Sequence, residues 1–201
     1  MFLEGTRSWR VSSGDSHHVD VALYVRDALA LSVETRPHIP SLDPSVPIFI
    51  PDGIDRAAVT AEWPGWWETV LEWPRTEVSA EQELTFGPSF DTSPALANRP
   101  ALRAAIAALT EPGGMYRSAA ARGLTRPSSM PIGEVVSELA KELGRPVRPF
   151  NLEITQISVA EPMWELLTES HVLASYRFTE SSAVVPALRE VISRLAWKAA
   201  R

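Results

Sequence analysis

Four of the chain's seven tryptophans fall within residues 63–73, Trp-Pro-Gly-Trp-Trp-Glu-Thr-Val-Leu-Glu-Trp. No other stretch restricts the fold as much. Trp63, Trp66, Trp67, Val70 and Leu71 recur at i, i+3, i+4, i+7 and i+8, which is one stripe of a helix. An indole buries about 150–250 Å². At about 25 cal/mol per Å² that is worth up to roughly 4–6 kcal/mol, so the stripe must meet other apolar surface. Either it is core, or it is a surface for a partner, where tryptophan is over-represented. Trp63, Trp66, Trp67 and Trp73 are the binding candidates under the second reading.

At 201 residues the chain can bury a substantial core, and its 45% hydrophobic and 22% charged residues are ordinary for a folded protein. No apolar run approaches a membrane span, and the first ten residues lack the pattern of a secretory signal, so a cytoplasmic protein is expected. The absence of cysteine excludes disulfides, thiolate metal sites and cysteine nucleophiles. Its 17 arginines against two lysines, with abundant alanine, match the bias of a G+C-rich bacterial genome. Charge is uneven: net −9 over residues 1–98, +4 over 99–148 and −1 over 149–201. The acidic first half disfavours nucleic acid as a partner, leaving only a local contact through 99–148.

Taken in order, Trp9 and Val11 end a short strand and His18–Leu31 reads best as a helix. Five prolines between Arg36 and Pro51 then forbid a helix and favour an extended strap. Its Ile48, Phe49 and Ile50 are expected to pack down against the fold. A helix over 55–62 is followed by the tryptophan helix, started or kinked by Pro64. Residues 74–99 form a long irregular connection, the natural boundary between an acidic N-terminal half (1–98) and a C-terminal half (99–201) if the chain is not one domain. A helix over 100–110 is expected to stop at Pro112-Gly113-Gly114, with a shorter one over 115–122. Ile132–Leu143 is a helix with Gly144 as a left-handed cap. Phe150, Leu152 and Ile154 alternate, then Ile157 and Val159 alternate in the other phase, as a bulge at Thr155-Gln156 would produce. A second strand runs over 171–178, and a helix over 186–200 closes the chain.

Catalytic signatures are sparse. Gly14-Asp15-Ser16 lacks the downstream Asp-x-x-His that a hydrolase of the GDSL type needs. Asp15, His17, His18 and Asp20 hold metal-ligand atoms at spacings that complete no known set, so neither metal nor other cofactor is expected. The Pro112-Gly113-Gly114 turn, with Arg117 and Arg122, is a candidate anion nest at a helix start. His171 with Glu165 or Glu169 is the acid–base pair that an enzyme in this chain would use.

These readings imply an α+β, helix-rich fold with a small antiparallel sheet over about 147–178, covered by the C-terminal helix. They favour a non-catalytic interaction protein, an adaptor in a bacterial cytoplasmic assembly with a protein partner. The alternative is a small enzyme or ligand-binding protein with its anion site near Gly113–Arg126 and His171 as acid or base.

Overall fold

Leu152 and Ile154 project from one face of a strand, and Val172 and Ala174 from the same face of its neighbour; all four are buried beneath two helices. This is the core of the first of two compact units in the computed structural model, which describes residues 9–72, 94–123 and 130–197. That unit comprises Met1–Gly14, Arg126–Ile157 and Glu161–Arg201. Its sheet has the order β1-β2-β4-β3, with β1 at Arg10–Asp15, β2 at Asn151–Ile157, β3 at Trp164–Thr168 and β4 at His171–Ser175. The helix Ile132–Leu143 and the helix Val184–Trp197 cover it with Val135, Val136, Leu139, Leu188, Val191 and Ile192. The α+β class and the covering C-terminal helix are as the sequence implies.

The sheet is mixed, not antiparallel. β2 pairs with β4 in parallel, from Glu153 opposite His171 to Ile157 opposite Ser175, and β3 pairs with β4 antiparallel. The cause is β3, which lies between the two strands that the sequence pattern reveals. A third strand adds a second reversal of direction and returns β4 to the sense of β2. Trp164-Glu-Leu-Leu-Thr168 lacks the apolar alternation that would have revealed it.

The phase change in β2 also has a different cause. Its register with β4 is unbroken through Thr155 and Gln156. Thr155, Gln156 and Ile157 are all buried, as expected of an inner strand with a parallel neighbour. Gln156 is satisfied there by donating to Thr179 Oγ1 at 3.1 Å. The irregularity falls instead in β3, between Leu166 and Thr168. β4 ends earlier than expected because buried Ser175 accepts the Phe178 N–H and caps a short helix, Tyr176–Thr179. Gly144 takes φ +63° as a left-handed cap, as its position predicts.

The second unit, Asp15–Thr125 with Ser158–Ala160, is helical. In it α1 (His17–Ala28), α2 (Arg56–Glu72) and α3 (Pro100–Gly123) pack on one another. Both long helices run through their prolines: Pro64, expected to start or kink its helix, and Pro112, expected to stop one. α2 is continuous through Pro64, with Asp55 Oδ1 accepting the Ala57 and Ala58 N–H groups at its start. Trp63, Trp66 and Trp67 are buried, Trp63 stacks on Trp67 at 5.3 Å, and Trp63 Nε1 donates to Ala22 O of α1. The stripe is core, which outweighs the carbonyl bond that Pro64 removes. Trp73 lies outside the described residues.

α3 is likewise one helix through Pro112-Gly113-Gly114. Leu102, Ala105, Ile106 and Leu109 are buried, and a Cβ on Gly113 would stand 3.1 Å from the Tyr24 ring. The glycine allows close approach of α1 rather than a turn. Proline opens α3, and Glu62 of α2 reaches across to accept the Leu102 N–H at 2.8 Å, so one carboxylate serves the positive end of a neighbouring helix.

Candidate interaction surface

The last carbonyls of α1 have no partners within the helix and must find them elsewhere. The Val25, Arg26 and Asp27 carbonyls accept the N–H groups of Leu29, Leu31 and Ala30 just past the helix, and the proline-rich strap and the start of α2 serve the carbonyls that follow. Phe49 N–H donates to Ala28 O at 2.8 Å, and the Arg56 guanidinium donates to Ala30 O at 2.9 Å. The helix returns bonds to the strap. Arg26, only 7% exposed, donates from Nη1 to Ile39 O and from Nη2 to Pro40 O, both at 2.7 Å, while its Nε donates to Asp27 Oδ1. Asp27 Oδ2 then accepts the Leu42 N–H at 2.7 Å. A buried guanidinium is tolerated because an adjacent carboxylate balances its charge and strap carbonyls take its other donors.

Further along, the strap pairs with Ser158–Ala160. Leu42 bridges Val159 in antiparallel sense, Asp43 N–H donates to Ser158 O, and Ala160 N–H donates to Ser41 O, both at 2.9 Å. Tyr116 of α3 adds a third anchor, donating its hydroxyl to Pro44 O at 2.5 Å. Burial, followed by the carboxylates of Asp27, Asp43 and Asp20, pushes its pKa up to about 12. The donor proton therefore stays in place at any ordinary pH.

These anchors hold backbone and leave side chains outside. Ile39 and Leu42 are buried, but Ile48, Phe49 and Ile50 are 70%, 47% and 44% exposed. This corrects the expectation that they pack down. Only the Phe49 N–H is needed to cap α1, and the flanking prolines 47 and 51 donate no backbone bond. Beside this run a cleft of about 520 Å³ opens between the end of α1 and the strap, with Arg26 and Asp27, Leu31, Val33, Val46 and Ile48 among its walls. Its volume is in the range of sites that hold small ligands.

No family model, curated protein or solved structure matches this chain. The reading of the site therefore rests on its own residues.

The other candidates occupy different places. Gly113 and Gly114 lie inside α3, so their N–H groups belong to a helix and form no nest. Arg117 donates to His17 Nδ1. That bond requires a neutral imidazole, since a guanidinium only donates. Desolvation of the ring, then the Arg117 charge, then His18, lower the His17 pKa to about 4; burial lowers that of His18. Arg122 has its side chain outside the described residues. His171 opens β4, and its Nε2 lies 2.9 Å from Thr155 Oγ1. Glu165 is exposed on edge strand β3 opposite Leu173, whereas His171 is opposite Thr168. Among the described residues, no three His, Asp or Glu side chains gather as a metal would require, and no helix is long and apolar enough to cross a membrane.

Sequence reasoning found the strap and misjudged which way it faces. A signal was present: three large apolar residues between two prolines, where chain direction is restricted and the backbone, not the side chains, makes the attachment.

Proposed function

We propose that this protein is a non-catalytic interaction protein, an accessory or adaptor subunit of a bacterial cytoplasmic assembly, and that it engages a protein partner through the strap. One observation carries this reading: the outward Ile48-Phe49-Ile50 run on a backbone tied to α1 at Phe49. Scattered exposed apolar residues are normal. Three in succession beside a cleft, on a segment whose order comes from buried ion-pair and backbone bonds, have the character of a contact surface. Pre-ordering supports this role, because a partner need not immobilise the segment on binding.

The alternative, a small enzyme using His171 and an anion nest, has less support. Helix runs through Gly113-Gly114, and Arg117 is engaged with His17. Gentle purification of the tagged protein from its source cells, with mass spectrometry of whatever accompanies it, tests the proposal. A stoichiometric protein that Ile48→Asp releases is the expected result. A chain that purifies alone, or with a small molecule, would refute it.

A further inference from the structure

Asp52-Gly53 is the one junction in the chain where an aspartate or asparagine precedes glycine. It forms the turn between the strap and α2. Ile54 N–H donates to Pro51 O at 3.3 Å, which puts Asp52 and Gly53 at the two central positions, and Gly53 takes φ +79°. Both residues are exposed. A Cβ built on Gly53 would meet nothing within 4 Å, so the space around its backbone is open.

The reactive groups are also uncommitted. Among the described residues none accepts the Gly53 N–H, and none donates to the Asp52 carboxyl. Cγ of an aspartate and the next backbone nitrogen are linked through Cβ, Cα and the carbonyl carbon, so a bond between them closes a five-membered ring. At most junctions the next side chain crowds that nitrogen. Glycine has none.

We infer that Asp52-Gly53 is a site of spontaneous isoaspartate formation, a covalent change the chain makes on itself with water as the only co-reactant. Gly53 N attacks Cγ of Asp52; the N–Cγ bond forms, and the carboxyl OH leaves as water with the amide proton. Water then opens the cyclic imide. Cleavage of the new N–Cγ bond restores aspartate. Cleavage between the nitrogen and the main-chain carbonyl carbon leaves the chain running through Cβ and Cγ, one atom longer, with the former main-chain carbonyl as a free carboxylate. The added atom falls between two fixed points, the Phe49 N–H on Ala28 O and the Asp55 carboxylate that caps α2, so the fold on each side is retained. This chemistry needs no partner protein.

The test incubates the purified full chain near neutral pH at physiological temperature. Isoaspartate is read at intervals with a protein isoaspartyl methyltransferase and a labelled methyl donor, and its position is found by electron-transfer fragmentation of the peptides. Signal should accumulate at Asp52 ahead of Asp15, Asn98 and Asn151, whose following residues all carry side chains. Asp52→Glu keeps the charge but would need a six-membered ring, and should lose the signal. Its circular dichroism and thermal melting should match the parent, because the side chain is exposed. Isoaspartate located mainly at another residue, or equal signal from Asp52→Glu, would overturn the inference. So would signal that arises only after denaturation, which would show that the folded turn shields the junction.

Discussion

Gly113 and Gly114 are neighbours in one helix and should respond oppositely to the same substitution. A Cβ on Gly114 meets nothing within 4 Å, so Gly114→Ala should stabilise the protein by about 0.5–1 kcal/mol in denaturant unfolding. At Gly113 the new methyl would press on the Tyr24 ring, itself buried and held 5.3 Å from Tyr116, so Gly113→Ala should destabilise. Arg26→Met would leave the Asp27 carboxylate, only partly exposed, without its counter-charge and the Ile39 and Pro40 carbonyls without the donors Arg26 supplies. A loss of about 3–5 kcal/mol is expected from the same measurement. His17 sets a pH dependence. Its folded pKa, about 4, lies below the ordinary 6.5, so the unfolded chain binds the proton more tightly. Its contribution is therefore intact above 6.5 and is lost as pH falls from 6.5 towards 4. Stability measured across that window should decline with acidification, and His17→Gln should flatten the decline.

At the scale of elements, Pro64, expected to start or kink a helix, and Pro112, expected to stop one, both lie inside helices. Propensity costs of about 3 kcal/mol for an interior proline are outweighed by packing that no local pattern expresses. For α2 the packing is the tryptophan stripe on α1; for α3 it is Leu102, Ala105, Ile106 and Leu109. The N-terminal cap of α3 is similarly remote, since Glu62 lies 40 residues before Leu102. Glu62→Ala should therefore lower stability by about 0.5–2 kcal/mol, although it lies in another helix. Equal stability of the variant and the parent would show that the cap contributes nothing. Where an element is set by its own residues, as in Ile132–Leu143 with Gly144, the sequence reading and the structure coincide in bounds and in cap.

For the molecule as a whole, the surface reading separates function from stability. Ile48→Asp changes a side chain that is 70% exposed, so unfolding should shift by no more than about 0.5 kcal/mol while partner capture is lost. A large drop in stability would instead make Ile48 a packing residue. The sequence alone determined the α+β class, the helix Ile132–Leu143, the closing helix, and the need of four clustered tryptophans for apolar surface. Each follows from periodicity, capping or transfer energy, which act within a few residues or depend on composition. Tertiary structure alone decided that β2 and β4 run parallel, that Pro64 and Pro112 lie within helices, that Gly113 accommodates a ring, and that the strap turns Ile48, Phe49 and Ile50 outward. Those outcomes depend on partners distant in sequence: a third strand reversing direction once more, a neighbouring helix supplying burial, and the open end of α1 claiming the strap's backbone.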